Sequence, residues 1–190
     1  MTPTSRTLII AIAASAILSS TAVAAPPAEP SIICIEAESG FVVAQEHADV
    51  PRAPASMIKM MLLFLVAEGV DRGDWSLEKK ITVSDRAQSM GGAQIWLKTG
   101  EDLTLDQLIR AVAVASANDA ALAVAEGLWG SEEAYLKRAN ERAAELGMKH
   151  TEIHSPHGLP PSTGRKEDRT TARDMSTLAR ACIDHPRIMT

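Results

Sequence analysis

Pro54-Ala55-Ser56-Met57-Ile58-Lys59 runs directly into Met60-Met61-Leu62-Leu63-Phe64-Leu65-Val66-Ala67. The second stretch has no polar residue. A surface helix would alternate apolar and polar faces, so this one reads as a helix buried on every side. Gly69 is placed to end it, and Pro54 stands just before its start. Ser56 and Lys59 are three apart, which puts both on one helical face within reach of each other.

A lysine at the mouth of a buried helix is desolvated, and desolvation disfavours its ammonium form. A neutral amine beside a hydroxyl is a general base beside a nucleophile. The bland alternative is a serine that caps the helix and a lysine that reaches back to water. The spacing alone does not separate the two.

The rest of the chain sets bounds. Its 190 residues suit one domain or most of one, 46% hydrophobic content supplies a core, and the net charge of −5 argues against a nucleic-acid partner. Arg6, the apolar run over 8–18 and Ala22-Val23-Ala24 read as a signal peptide over 1–24, cut after Ala24. The run is short for a bilayer span; an uncleaved anchor is the alternative. Either way the protein leaves the cytoplasm. Residues 25–190 form the folded portion. Cys34 and Cys182 read as two separate buried thiols, although a disulfide is allowed.

Strands are expected over 31–37 and 41–45 around a Glu38-Ser39-Gly40 turn, and 77–83 is extended. Residues 84–92 read as a loop with at most one helical turn. Thr104 and Gln107 make a capping box that opens a helix over 105–114. Ser116-Ala117-Asn118-Asp119 breaks it, and a second helix follows over 120–127. Ser131 starts a third, with Leu136, Ala139, Ala143 and Leu146 inward and Gly147 as its stop. A long loop covers 150–169. Thr171 opens a last helix, with Met175, Leu178, Ala179 and Cys182 on one side and Pro186 as its end. A lone hairpin is not a stable sheet. It must pair with strands not present here, or lie against the central helix with an edge open. The sequence therefore reads as incomplete at its C-terminus.

Ser116-Ala117-Asn118 sits where backbone groups are free and side chains can enter a cleft. It also reads as a plain junction with Asn118 or Asp119 as N-cap. His150, His154 and His157 have a spacing that invites a metal, but Pro156 and Gly158 break the helix that would gather them, so no metal or cofactor is assigned. Trp75, Trp96 and Trp129 read as packing residues.

S-x-x-K followed by S-x-N is the pattern of active-site serine enzymes that react with penicillin. With Arg52-Ala53-Pro54-Ala55-Ser56-Met57-Ile58-Lys59, Met90-Gly91-Gly92, Leu97-Lys98-Thr99-Gly100-Glu101, Val114-Ala115-Ser116-Ala117-Asn118-Asp119-Ala120, His157-Gly158-Leu159-Pro160 and Thr170-Thr171-Ala172-Arg173-Asp174, the chain resembles the low-molecular-mass penicillin-binding proteins. These are the D-alanyl-D-alanine carboxypeptidases of the S11 serine peptidase family. The resemblance covers about 31–190. It implies an α/β (α+β) β-lactamase/transpeptidase-like fold, here an N-terminal β-hairpin plus helical block without the C-terminal strands of the sheet.

It also implies roles. Ser56 is the acyl-ester nucleophile, Lys59 the proton acceptor and Ser116 the proton relay. Asn118 orients Lys59 and the substrate, and the Ser56 N–H is one oxyanion donor. The implied substrate is a peptidoglycan stem peptide ending in D-Ala-D-Ala, with β-lactams as covalent inhibitors and no cofactor. Membrane association would need a C-terminal segment not in this sequence. The implied place is the periplasm or cell envelope.

The family's Lys-Thr-Gly strand has no counterpart. Lys98-Thr99-Gly100 precedes Ser116 and runs into a capped helix, so it is not that element, and this chain alone is expected to hydrolyse poorly. Ile58 stands where a small polar residue is common, with an effect on packing only. A DD-endopeptidase acting on cross-links uses the same motifs. A class A β-lactamase would need a deacylating Glu on a loop after the second motif, and none is evident. A truncated relative that only binds is the non-enzymatic alternative.

Overall fold

The computed structural model describes residues 29–161 and 164–185. The leader over 1–24 and the stop at Pro186 lie outside the described residues.

The chain enters through a hairpin of β1 (Ile32–Ile35) and β2 (Val42–Glu46), antiparallel with Ile33 opposite Gln45. Gly40 takes the left-handed conformation its turn requires, φ 75°. Alternate β1 residues face solvent, and Cys34 is among them; it is exposed rather than buried, because the pleat puts it on the open side. Cys182 is buried, and both thiols are free. Burial pushes the Cys182 thiol up to about 11. The hairpin rests on α6 (Ala172–Ile183), where Arg180 donates to the carbonyls of Ala37 and Glu38. Among the described residues the pair stays two-stranded.

A 3-10 turn over Ala55–Ile58 leads into α1 (Lys59–Arg72), the hub that touches α6 and the three long helices introduced below. Met61, Leu62, Phe64, Leu65, Val66 and Ala67 are buried, while Met60 and Leu63 are partly so. Helix α1 does not stop at Gly69. It runs to Gly73, which supplies the left-handed cap with φ 80°. Gly69 serves packing instead: a Cβ there would meet the Trp75 ring at 2.1 Å.

The strand β3 (Lys80–Thr82) pairs antiparallel with β4 (Asp102–Thr104) in a second hairpin, whose return strand the sequence did not reveal. One helical turn, α2 (Asp85–Gln88), lies between them, capped by Ser84. Thr104 and Gln107 form the reciprocal capping box at the head of α3 (Leu105–Ala115). Helix α4 (Asn118–Trp129) is longer than read, and its small side chains from Ala120 to Ala125 are all buried.

Ser131 caps α5 (Glu132–Glu145). Ala139 and Ala143 are buried as expected and Leu136 and Leu146 pack against the core from its margin, while Glu132 and Tyr135 join the buried face. Tyr135 is held there by an aromatic stack: Trp75 meets Trp129 at 4.9 Å and Trp129 meets Tyr135 at 5.2 Å, both edge-on. Trp96 takes no part in that stack; it is 77% exposed at φ 62°. Thr171 caps α6, with Met175, Leu178 and Cys182 buried and Ala179 at the margin.

The long loop closes the molecule through two short backbone bridges, Arg52 with Thr170 and Glu152 with Arg169. Among the described residues no strand carries Lys-Thr-Gly. Residues 98–100 instead form a turn, with the Thr99 amide on Gln88 and the Gly100 amide on Val83.

Candidate active site

Ser56 lies in the 3-10 turn and Lys59 is the first residue of α1. Neither element has a side-chain cap bond at its start, so Ser56 is not spent as a cap. Ala55 is held at φ 48°, a conformation L residues avoid. The hydroxyl side of the turn stays exposed while Lys59 is 3% exposed and Ile58 is fully buried in the core. Lys59 therefore does not reach back to water.

Four acceptors surround the Lys59 Nζ. They are Asn118 Oδ1 at 2.6 Å, the His157 carbonyl at 3.0 Å, Ser56 Oγ at 3.2 Å and Ser116 Oγ at 3.2 Å. Burial lowers the Lys59 pKa from 10.5 to about 8. No carboxylate is among the four, so nothing in this first circle pins the ammonium form.

The break at Ser116 is what delivers two of these groups. Ser116 ends α3 in the left-handed region at φ 53°, and Ala117 is the N-cap of α4 without a side-chain bond. Asn118 is thus not a cap. Its Oδ1 accepts from Lys59, its Nδ2 donates to the Gly91 carbonyl at 2.7 Å, and its backbone N–H donates to Ala93 at 2.7 Å. Asp119 is fully buried and accepts from the backbone of Ile95, Leu97 and Ala120. Two neighbouring side chains therefore lace the 91–97 loop to the start of α4. Gly92 fits there because a Cβ would come within 2.8 Å of Asn118 Nδ2.

All four sequence-assigned residues, Ser56, Lys59, Ser116 and Asn118, meet at one nitrogen. The partner that sequence reasoning missed is His157, which contributes its carbonyl rather than its ring. Its ring Nδ1 accepts from the Leu159 N–H at 3.1 Å, and burial lowers its pKa, so the neutral form is favoured. Gly158 is the signal that could have found this loop. It sits at φ 78°, and a Cβ would lie 2.0 Å from the Ala55 carbonyl oxygen. The loop can press on the serine turn only without a side chain there. His154 pairs with Glu152 at 3.3 Å, and among the described residues no set of three metal-binding side chains converges.

A neutral lysine amine has two hydrogens and one lone pair. Asn118 Oδ1 and the His157 carbonyl can only accept, so they take the hydrogens. The lone pair is then left for the hydroxyls of Ser56 and Ser116. The arrangement is one that can take a proton from Ser56 and pass one through Ser116.

A family profile described as D-alanyl-D-alanine carboxypeptidase matches residues 19–189. Among curated proteins, the D-alanyl-D-alanine carboxypeptidase DacF of Bacillus subtilis is 37% identical over 158 residues, 83% of this chain and 40% of that protein. DacA of Escherichia coli is 32% identical over 159 residues, 80% of this chain and 38% of its own length. Among solved structures, the carboxypeptidase DacD of Francisella tularensis superposes with a TM-score of 0.79 at 34% identity, over 84% of this chain and 38% of that one. The ampicillin-bound penicillin-binding protein D2 of Listeria monocytogenes gives 0.72 at 26% identity, over 83% and 62%. The chain spans about two fifths of the length of these curated relatives.

Proposed function

Because this chain belongs to the D-alanyl-D-alanine carboxypeptidase family of serine peptidases, with its penicillin-binding fold, we propose that it removes the terminal D-alanine from peptidoglycan stem peptides. Ser56 Oγ attacks the carbonyl carbon between the two D-alanines as Lys59 Nζ takes its proton. The Ser56 N–H is one donor to the oxyanion that forms. The C–N bond then breaks, and the leaving amine receives a proton through Ser116. An ester on Ser56 remains. Water adds to that ester with Lys59 again as base, and the shortened peptide leaves. Asn118 holds Lys59 through Oδ1 while its Nδ2 is tied to the Gly91 carbonyl, and from that fixed position it orients the substrate.

The observation that carries this reading is the convergence of two hydroxyls, a side-chain amide and a backbone carbonyl on one buried amine. β-Lactams acylate the same serine, since their strained amide presents a comparable carbonyl. Residues 1–24 act as an export leader, and residues 25–190 work in the cell envelope as part of the catalytic domain.

Labelled penicillin tests the assignment. It is expected to mark Ser56, with the adduct located by peptide mass, and to mark nothing in Ser56→Ala. Label retained by Ser56→Ala would refute the site. Release of free D-alanine from a D-Ala-D-Ala peptide tests the activity.

A further inference from the structure

The His157 carbonyl is held in place by a buried relay that no part of the reaction above uses. Asp168 is 4% exposed. Its Oδ1 accepts from the backbone N–H of His154 at 2.6 Å and of Ser155 at 2.9 Å, and its Oδ2 accepts from Ser155 Oγ at 2.6 Å. Because Ser155 gives its hydrogen to Asp168, its oxygen is free to accept. It takes the Gly158 N–H at 2.8 Å and, more loosely, the His157 N–H at 3.4 Å. These bonds fix the turn whose carbonyl meets Lys59 at 3.0 Å.

Asp168 is itself anchored. Arg169 exchanges both backbone bonds with Glu152, at 2.8 and 2.9 Å. Thr170 exchanges both with Arg52, at 2.7 and 2.9 Å, four residues before Ser56. One segment thus grips the loop that carries His157 and the extended stretch that leads to Ser56. Gly158 closes the gap between them by lying against the Ala55 carbonyl.

We propose that Asp168, acting through Ser155, is a positioning residue for the Lys59 base. This rests on the acyl-transfer reading. With the His157 carbonyl in place, both hydrogens of the neutral amine have carbonyl acceptors and the lone pair faces Ser56. With that carbonyl withdrawn, the amine turns a hydrogen toward one of the hydroxyls, and its lone pair no longer addresses the proton it must take. The loss falls on the acylation step and not on the noncovalent binding of substrate or penicillin. Misplacement of a reacting group by about 1 Å costs on the order of 10²-fold.

The test measures, for the whole protein, the acylation rate constant and the dissociation constant of the initial penicillin complex separately, per titratable site. Ser155→Ala and Asp168→Asn are expected to lower the rate constant by roughly 10- to 100-fold with the dissociation constant unchanged. Asp168→Asn keeps an oxygen for the two amides but sets a donor against the Ser155 hydroxyl, so it decides the matter if Ser155→Ala does not fold. Glu152→Gln, on the exposed side of the same loop, is expected to acylate at the wild-type rate. An unchanged rate constant in a folded Asp168→Asn would overturn the proposal. So would a loss that only tracks the fraction of folded protein, since that is what a purely structural role gives. Failure of the wild-type protein to acylate at all would instead refute the acyl-transfer reading, and the proposal with it.

Discussion

Lys59 Nζ stands 2.6 Å from Asn118 Oδ1 and 3.2 Å from Ser56 Oγ. The shortest contact of the amine is with an acceptor that has no proton to give. The contact with the Ser56 hydroxyl is longer, which leaves it the looser of the two. The amine is oriented by the amide and reads the hydroxyl.

Acylation should depend on pH through this amine. Its folded pKa of about 8 lies below the usual lysine value of 10.5 because burial penalises the charge. The neutral form is the base, so the acylation rate is expected to rise through pH 8 and level off above it. A rate still climbing tenfold per unit between pH 9 and 10 would contradict this. The sign for stability follows from the same depression. Below about pH 8 the folded protein carries the full cost of a buried charge, and the cost fades between pH 8 and 10.5. Urea midpoints of wild type relative to Lys59→Met should therefore rise across that window, and Lys59→Met should acylate about 10²- to 10⁴-fold more slowly.

Asn118→Ala removes an acceptor from Lys59 and a donor from the Gly91 carbonyl. A buried group left unpaired costs about 1–3 kcal/mol. Thermal denaturation should show a loss of that size, and penicillin labelling should slow at the same time. Loss of stability with normal labelling would mean that Asn118 only braces the 91–97 loop.

Two left-handed glycines make a matched pair. Gly147 at φ 80° has open space around its Cα, and Gly158 at φ 78° does not. Gly147→Ala should cost about 1–2 kcal/mol from backbone strain alone and leave acylation intact. Gly158→Ala adds a collision with the Ala55 carbonyl, so it should cost more and slow acylation strongly. Equal effects of the two changes on labelling would count against the contact between loop and serine turn.

Glu132 is 1% exposed and binds Arg86 at 2.5 Å and Arg165 at 2.6 Å. Burial alone would raise its carboxyl pKa, but the two guanidiniums outweigh that and hold it below its ordinary 4.5. The stabilisation is therefore complete above pH 4.5 and lost as pH falls through the lower folded value. Glu132→Gln should lose about 1–2 kcal/mol near neutrality, since both arginines are partly solvated and can rehydrate. Its melting temperature should also vary less with acid than that of wild type.

Ser56, Lys59, Ser116 and Asn118 were legible in the sequence because side-chain chemistry is written in residue identity, and the serine and lysine are joined by local helical spacing. The capping box at Thr104 was legible for the same reason. The His157 carbonyl was not, since every residue has a carbonyl and only the loop's path selects this one. Gly69 misled because glycine marks both a chain reversal and a close approach, and the Trp75 ring that demands the second lies outside its local stretch. Strand β4 is three residues long and flows straight into a helix cap, too short to show an alternating pattern. The inward face of α5 was legible at Ala139 and Ala143, but the burial of Tyr135 was not, because it depends on the Trp129 ring, a tertiary contact.

The four acceptors around Lys59 come from 3 residues before it and from 57, 59 and 98 residues after it along the chain. An emerging polypeptide therefore holds an ordinary alcohol and an ordinary amine, and the fourfold arrangement around the amine is complete only with the last long-range contact. On the acyl-transfer proposal, antibiotic uptake by Ser56 is a gauge of completed folding as much as of chemistry.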